Sequence, residues 1–241
     1  MIRLLTSVRD LAEAREAAAA GADFIDLKEP RAGALGALPA TRVASIVNAL
    51  RESYPGLPVS ATIGDLRPGD HAAVAHHANR IGRCGVDYVK AGVAPGPSAR
   101  ETLERMRALR WSMVPVLLCD DGLDLRLVEY ACELGFAGVM ADTQRKEAGS
   151  LFHCVPLAVL DSMVQIARAH EVMVGLAGAL RVEHVPRVRA LLPDFAGFRS
   201  ALCDGARTGR LEGERVRMLR SALKGERQAV SYEPLQAAQA A

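Results

Sequence analysis

Hydrophobic and polar positions along the chain alternate between two patterns. Short apolar runs are typical of buried parallel strands, and longer segments with an apolar residue every three or four positions are typical of amphipathic helices. The short runs predict eight strands, at Ile2–Thr6, Asp23–Lys28, Pro58–Ile63, Asp87–Ala91, Met113–Cys119, Gly138–Ala141, Val172–Leu176 and Asp194–Arg199. A helix is predicted after each strand, at Val8–Ala20, Thr41–Ser53, Ala72–Arg83, Ser98–Arg110, Leu123–Leu134, Leu157–His170, Val182–Leu191 and Glu212–Leu223.

Strands that alternate with helices indicate a parallel sheet, and eight such units fit within the 241 residues of the chain. The pattern predicts an α/β fold with a single closed (β/α)8 barrel, the TIM barrel, over residues 1–226. An open doubly wound sheet is the alternative that the pattern leaves. The last segment, 227–241, is rich in Gln and Ala and is predicted to be a disordered tail.

Composition narrows the class of protein. The chain is 50% hydrophobic and 24% charged with a net charge of +2, which argues against nucleic-acid binding. We expect no secretion signal, and no apolar run reaches about 20 residues, the length that spans a membrane. Its five cysteines lack the spacing of zinc sites, and no dinucleotide or P-loop motif occurs. We therefore expect a reduced cytoplasmic protein without a metal or organic cofactor.

Lysine is rare in this chain. Among the 30 basic residues only Lys28, Lys90, Lys146 and Lys224 are lysines, and the others are arginines. Arginine stays protonated under ordinary conditions, whereas lysine can lose its proton and then act as a nucleophile or a base. Lys28 and Lys90 lie in predicted strands, which makes them candidates for chemistry.

An internal repeat places these lysines relative to acidic residues. The second, fourth and eighth predicted strands begin alike, in the segments GADFIDLK, GVDYVK and PDFAGFR. Counting from the shared aspartate puts Asp26, Lys90 and Gly197 three residues on, and Lys28, Gly92 and Arg199 five residues on. The sixth strand contributes Asp142 at the second of these levels. Because side chains alternate across a strand, both levels share the face opposite the covering helices.

In a TIM barrel, alternate strands fill each interior layer, and the carboxyl ends of the strands carry the chemistry. We therefore expect a ring of ionisable groups on the barrel axis, formed by Asp26, Lys28, Lys90, Asp142 and Arg199. A buried ion pair that only fixes the strand register is the alternative. Burying a charge, however, costs several kcal/mol per ion, so a stability-driven core would use apolar residues there.

The chemistry expected of such a ring is carbonyl chemistry. A partly desolvated lysine beside another cation loses its proton more easily and can form a Schiff base with an aldehyde or ketone. Neighbouring aspartates can then move protons during enamine formation and dehydration.

Phosphate binding is the second expectation. The loops after strands seven and eight of such barrels often bind phosphate through backbone N–H groups. Here these loops read LAGAL and FRSAL, and their small residues allow a close approach of the backbone. The predicted phosphate-binding residues are Gly178, Ala179, Arg199, Ser200 and Ala201. Gly33 and Gly36, in RAGALGA, are candidates for a second anion-binding loop or a mobile cover.

Other polar residues have structural explanations. Asp65, Asp120 and Asp121 follow predicted strands and are expected to cap the next helices, although Asp120 could border the pocket. Cys119 and Cys203 have no nearby histidine in the sequence and are expected to be buried small residues.

The chain resembles the (5-formylfuran-3-yl)methyl phosphate synthases, which act early in methanofuran and methylofuran biosynthesis. The resemblance covers roughly residues 1–225 and is carried, in this order, by GADFIDLKEPRAGALGA, VSATIGD, GVDYVKAG, MADTQRKEAGSLF, GLAGAL and GFRSALC. It implies a barrel lyase that joins two molecules of glyceraldehyde 3-phosphate and releases one phosphate and two waters. It also implies a homo-oligomer.

The resemblance further implies roles for single residues. Lys28 in DLKEP matches the Schiff-base lysine of the family, and Lys90 in DYVKAG matches a proton-accepting lysine. Asp26, Asp142 and Lys146 match other active-site positions. The residues themselves leave two rivals open: a class I aldolase or transaldolase-like barrel acting on sugar phosphates, and a barrel that only binds a phosphorylated metabolite.

Overall fold

Eight parallel strands close into a barrel in the computed structural model, which describes residues 1–145 and 149–225. The strands are β1 (Arg3–Val8), β2 (Phe24–Leu27), β3 (Val59–Thr62), β4 (Tyr88–Val93), β5 (Met113–Leu118), β6 (Gly138–Asp142), β7 (Met173–Leu176) and β8 (Phe195–Phe198). Each strand pairs with the next along the chain, and β8 pairs with β1. The predicted barrel is confirmed, and the open sheet is wrong.

Helices cover the outside of the barrel. They are α1 (Leu11–Ala19), α2 (Ala40–Ser53), α3 (His71–Gly82), α4 (Ala99–Arg107), α5 (Leu125–Glu133), α6 (Leu151–Cys154), α7 (Leu157–Ala169), α8 (Val185–Leu191) and α9 (Gly213–Lys224). The short α6 and the 3-10 turns Pro30–Ala32 and Ser200–Leu202 were not predicted, because segments of three or four residues carry too little periodicity. The helix predicted at Val182–Leu191 consists of a 3-10 turn, Val182–His184, followed by α8. No helix of the described residues is long and apolar enough to span a bilayer.

The first strand runs further than its hydrophobic pattern predicts. Asp10 caps α1 by accepting the N–H of Glu13, so the helix begins at Leu11 and not at Val8. The backbone before the cap remains extended, and β1 pairs with β2 as far as Val8. As a result Ser7 faces the barrel interior beside the acidic residue of β2.

Two apolar clusters fill the molecule. The larger one lies between strands and helices and is mainly aliphatic. The smaller one fills the barrel interior, where Phe24 and Phe195 lie 5.6 Å apart between ring centroids. Gly175 makes room for this pair, since a Cβ there would lie 2.1 Å from the ring of Phe195. Leu35, from the loop after β2, belongs to the same interior cluster. Beyond Phe24, toward the carboxyl ends of the strands, the barrel interior contains buried charged side chains.

Lys146 and the segment 226–241 lie outside the described residues. The expected tail and the place of that lysine therefore stay predictions.

Candidate active site

Asp26 is the centre of the polar cluster inside the barrel. Its side chain is fully buried and accepts hydrogen bonds on both carboxylate oxygens. Oδ1 accepts from Lys90 Nζ at 2.8 Å and from Ser60 Oγ at 2.7 Å. Oδ2 accepts from Ser7 Oγ at 3.1 Å and lies 3.9 Å from Lys28 Nζ. One carboxylate therefore serves two ammonium groups and two hydroxyl groups.

The strand register explains why these side chains meet. Ser7 of β1 and Ser60 of β3 are both paired with Asp26 of β2, so they flank its carboxylate from either side. Lys90 projects from the next strand, β4, into the same region. Lys28 lies two residues beyond Asp26 and therefore occupies the same face, closer to the mouth of the barrel.

Burial and the neighbouring charges have opposite effects on the pKa of Asp26. Desolvation by itself would raise the pKa of the buried carboxyl, but the charges of Lys90 and Lys28 and the hydrogen bonds from Lys90 and Ser60 outweigh it. The pKa of Asp26 consequently lies below its ordinary value. Burial also lowers the pKa of Lys90, with a further contribution from the Lys28 cation, although Asp26 pulls in the other direction. The cluster thus favours an ionised acid and a lysine that releases its proton more readily than in water.

The two lysines differ in their access to solvent. A pocket of about 460 Å³, including the part open to solvent, is lined by Asp26, Lys28 and Asp142 and extends to the loops after β7 and β8. Lys90 is 3% exposed and borders a separate small cavity, together with the apolar side chains of Phe24 and Val114. Lys28 is therefore the amine that a small molecule in the pocket can reach, and Lys90 can act on it through Asp26.

Asp142 borders the same pocket at the carboxyl end of β6. Its Oδ1 accepts the N–H of Thr143 at 2.8 Å, which fixes one side of the carboxylate. The negative charge of Asp142 also raises the pKa of Lys90, although it contributes less than burial, Asp26 and Lys28 do. The structure thus brings Asp26, Lys28, Lys90 and Asp142 together, as the internal repeat predicts.

The predicted phosphate loops also reach the pocket. Gly178, Ala179 and Ser200 line it, whereas Ala201 lines an adjoining cleft. Gly178 has a φ of +105°, and a Cβ there would lie 3.1 Å from both Leu151 Cβ and Thr143 Oγ1. Glycine is therefore needed at this position for conformation and for space.

Arg199 does not have the role that the sequence suggests. Arg199 is one of the residues that line the pocket, but its guanidinium forms an ion pair with Glu13 of α1, at 2.5 Å from NH1 to Oε2. The remaining N–H groups donate to Oε1 of Glu13 and to the backbone oxygens of Ser7, Arg207 and Gly209. All five donors of the group are thus used by protein acceptors. The expectation that Arg199 offers its cation to a phosphate is corrected for this reason.

Three candidate functional residues were not predicted from the sequence. Ser7 and Ser60 hold the Asp26 carboxylate, and Arg207 lines the mouth of the pocket. The segment VSAT contains a signal for one of them, because its alternation puts Ser60 and Thr62 on the interior face. Ser7 was hidden by the predicted early helix start, and no local pattern marks Arg207.

Three aspartates that were expected to cap helices, Asp65, Asp120 and Asp121, do not do so. Asp70 and Asp124 cap α3 and α5. Asp65 instead accepts the N–H of Leu35 on both oxygens at 3.2 Å. Asp120 accepts the N–H groups of Gln144 and Arg145 at 2.7 Å.

Asp121, the third predicted cap, instead accepts from NH2 of Arg145 at 2.7 Å. These three aspartates therefore hold loops in place and do not cap helices.

The two cysteines considered above are buried, as expected. Burial raises the pKa of Cys119 to about 12 and that of Cys203 to about 11, so neither thiol provides a thiolate near neutral pH. Within residues 1–145 and 149–225 no group of three or more His, Cys, Asp or Glu side chains is arranged to hold a metal ion.

Comparison with known proteins decides the family. The sequence profile described as "4-HFC-P synthase" matches residues 4–220 of this chain. The chain belongs to the 4-HFC-P synthase family. One relative in it, the (5-formylfuran-3-yl)methyl phosphate synthase of Archaeoglobus fulgidus, is 34% identical over 241 residues, covering 93% of this chain and 100% of that one. The synthase of the same name from Methanocaldococcus jannaschii is 32% identical, covering 92% and 99%.

Solved structures with this fold are more distant. The chain superposes on 3-hexulose-6-phosphate synthase from Salmonella typhimurium with a TM-score of 0.62 and 18% identity, covering 94% of this chain and all of the other. Phosphoribosyl anthranilate isomerase from Thermus thermophilus gives a TM-score of 0.64 at 16% identity, with the same coverage. At this identity the likeness shows the barrel fold of this chain and nothing about its substrate.

Proposed function

We propose that this protein joins two molecules of glyceraldehyde 3-phosphate into (5-formylfuran-3-yl)methyl phosphate and releases one phosphate and two waters. The observation that carries the proposal is the position of Lys28, which lines the pocket and has its Nζ 3.9 Å from a carboxylate that the buried Lys90 shares. Membership of the 4-HFC-P synthase family supports the same reaction. The product would serve the synthesis of a furan cofactor such as methanofuran or methylofuran.

The first step is capture of one triose. The neutral amine of Lys28 adds to the aldehyde carbon, and loss of water gives an imine, that is, a Schiff base. Asp26 accepts the proton that the Lys28 ammonium must lose before it attacks, since its carboxylate is ionised and adjacent. Asp142, which lines the same pocket, donates to the departing hydroxyl oxygen.

The imine then makes the neighbouring carbon acidic. Lys90 takes up protons by way of Asp26, because burial has lowered its pKa and its Nζ lies 2.8 Å from Oδ1. The enamine so formed makes the new carbon–carbon bond to the second triose. One C–O bond to phosphate breaks, and ring closure with dehydration releases two waters. Hydrolysis of the imine then frees Lys28 and consumes the water that was lost when the imine formed. Aromatisation to the furan makes the last steps favourable.

Backbone N–H groups at Gly178, Ala179, Ser200 and Ala201 are proposed to bind substrate phosphate. The first three residues line the pocket, and all are small enough for an anion to approach the main chain. Lys146 is proposed as a further active-site lysine on the strength of its motif alone. We also propose that the protein is a homo-oligomer, which light scattering on the purified protein would test.

Trapping with borohydride tests the central claim. Borohydride reduces an imine to a stable secondary amine, so glyceraldehyde 3-phosphate should label Lys28 and add its mass to the peptide that contains it. Lys28→Arg keeps the charge but cannot form the imine, and should lower turnover by at least about a thousandfold. Lys224→Arg is the matched control, since Lys224 ends α9 and does not line the pocket. Labelling elsewhere, with Lys28 unmodified, would refute the proposed role.

The product separates the rival functions. A furan aldehyde absorbs in the near ultraviolet, and an aldol sugar does not. An absorbing product formed from glyceraldehyde 3-phosphate alone is expected. A non-absorbing sugar would favour the aldolase, and binding without turnover, unaffected by Lys28→Met, would favour a metabolite-binding barrel.

A further inference from the structure

The proposed reaction brings two phosphates to one barrel, and the loops after β7 and β8 account for the first. A phosphate monoester carries about two negative charges near neutral pH, so two of them repel each other at short range. In the closed ring of eight strands, β3 and β4 lie directly opposite β7 and β8. Lys28 and Asp142, at the ends of β2 and β6, lie between these two sides. The side of β3 and β4 is therefore where a second phosphate would stand farthest from the first.

A second pocket occupies this opposite side of the barrel mouth. It has a volume of about 610 Å³, including the part open to solvent, and the loops after β3 and β4 form most of its lining. Gly64, with a φ of +104°, and Gly69, with a φ of +78°, belong to that lining. Because glycine has no side chain, a ligand can approach the main chain closely at both positions.

Arg67 supplies the positive charge of this second pocket. It lies in the loop between β3 and α3, is exposed to solvent, and is the cation among the described residues that line the pocket. Its guanidinium has no hydrogen bond or ion pair with any part of the chain that the structure describes. Ser98, which also lines the pocket, does not use its hydroxyl to cap α4. An arginine with uncommitted donors can give a phosphate two parallel hydrogen bonds.

The acidic residue in the same lining is occupied elsewhere. Asp65 accepts the N–H of Leu35 on both carboxylate oxygens, each at 3.2 Å, so its carboxylate faces the loop after β2. The charge of Arg67 is thus not paired with Asp65.

Leu35 relates the second pocket to the first. Its side chain lines the second pocket and belongs to the interior cluster with Leu5 and Met140, which line the pocket at Lys28. Leu35 therefore stands between the two pockets. A three-carbon chain with its phosphate at Arg67 would extend along Leu35 toward Lys28.

We propose that the second pocket binds the phosphate of the second glyceraldehyde 3-phosphate, with Arg67 as its counter-charge and Ser98 as a further donor. This inference rests on the proposed function. It names the site from which the second triose meets the enamine on Lys28, in loops that neither the internal repeat nor the phosphate-loop pattern singles out.

Glycerol 3-phosphate tests the site without the reaction, because it has the phosphate and the three carbons but no carbonyl. Calorimetric titration of the wild type should show two binding events per chain. Arg67→Gln should weaken one of them about ten- to a hundredfold and leave the other unchanged. Arg67→Lys, which keeps the charge without the planar group, should fall between. Arg83→Gln is the matched control, since Arg83 is exposed at the other end of α3 and does not line the pocket.

Kinetics separate the two trioses. Borohydride labelling of Lys28 by glyceraldehyde 3-phosphate reports binding of the first triose, and its half-saturating concentration should be the same in Arg67→Gln and the wild type. The half-saturating concentration for formation of the near-ultraviolet absorbing product needs both trioses and should rise at least tenfold in Arg67→Gln.

A single binding event in the wild type, or two events that Arg67→Gln leaves unchanged, would overturn the inference. An equal rise in both half-saturating concentrations would also overturn it, because Arg67 would then act on the first triose. If the wild type makes no furan from glyceraldehyde 3-phosphate, the proposed function fails. The glycerol 3-phosphate titration then still decides whether Arg67 binds a phosphorylated three-carbon molecule.

Discussion

Two buried clusters of charge lie near the carboxyl ends of the strands, and they are built differently. One consists of Asp26, Lys28 and Lys90 inside the barrel. The other is the pair of Glu13 and Arg199, between α1 and the end of β8. Glu13 is 3% exposed and Arg199 is 8% exposed, so the two clusters are buried to similar extents.

The clusters differ in what their cations face. Both oxygens of Glu13 meet the guanidinium of Arg199, whose other donors meet backbone oxygens. In the barrel, two ammonium groups share the single carboxylate of Asp26, and one of them faces a pocket. Glu13 also meets Arg9, whose Nε lies 3.2 Å from Oε1, so each cluster has two cations on one carboxylate. The donors of Arg199 end on protein acceptors and hold the loop structure together, whereas Lys28 lines a cavity and can meet a substrate there.

The choice of cation sharpens the difference. A lysine in an unfavourable site can release its proton, and the lowered pKa of Lys90, caused first by burial, points in this direction. An arginine stays charged. Loss of the carboxylate should therefore mainly affect chemistry in the first cluster and mainly affect stability in the second.

Asp26→Asn is expected to have the largest effect on activity. The amide keeps the shape of the side chain but cannot accept protons, so kcat/KM should fall by about 10²–10⁴-fold. The rate of appearance of near-ultraviolet absorbance measures it. Activity within tenfold of the wild type would show that Asp26 is only a structural counter-ion.

Glu13→Gln should mainly lower stability and leave the chemistry at Lys28 intact. It leaves Arg199 charged and buried, which should lower the free energy of unfolding by about 3–5 kcal/mol in urea denaturation. The borohydride labelling of Lys28 by glyceraldehyde should stay unchanged in the folded protein, because Glu13 does not touch the pocket. The double variant Glu13→Gln/Arg199→Met should recover part of the stability. A cost below about 1 kcal/mol for the single variant would contradict the structural role.

The pH dependence of the unfolding free energy provides a further test of the Asp26 cluster. The folded-state pKa of Asp26 lies below the unfolded value of about 3.9, so its ionisation stabilises the fold above that pH. This stabilisation should be lost as the pH falls through the folded-state pKa. The difference in unfolding free energy between wild type and Asp26→Asn should therefore be constant from about pH 5 to 7 and shrink below about pH 4. A difference that grows on acidification would mean that the sign of the shift is wrong.

Ser60→Ala should have the smallest effect of the four. It removes one hydrogen bond, of 2.7 Å, to the Asp26 carboxylate, and bonds to charged groups contribute about 1.5–3 kcal/mol. The pKa of Asp26 should rise, since Ser60 is one of the groups that lower it, and the acid limb of the pH–rate profile should move to higher pH. Ser7→Ala, at 3.1 Å, provides a comparison with a longer bond. If neither variant shifts the pH–rate profile, the lysines alone set the pKa of Asp26 and the serine hydroxyls do not contribute.

Much of the fold was predictable because its signals are local. Strand and helix periods can be seen within single segments, and the repeat in β2, β4 and β8 correctly indicates which side chains face the barrel axis. The starting point of α1 was missed because the cap at Asp10 competes with an apolar pattern that continues through Val8. The position of Ser7 followed from that error.

The sequence alone determined the barrel, the interior face of each strand and the common level of Asp26 and Lys90, because side-chain alternation has a period of two residues. Only the tertiary structure decided which charges meet. Closure of the barrel brings Glu13 to Arg199 across 186 positions of sequence, and Arg207 to Gly33 across 174. It also turns Lys28 toward the pocket and leaves Lys90 beneath the carboxylate. Such pairings depend on where distant segments come together in space, and no periodicity within a strand encodes that.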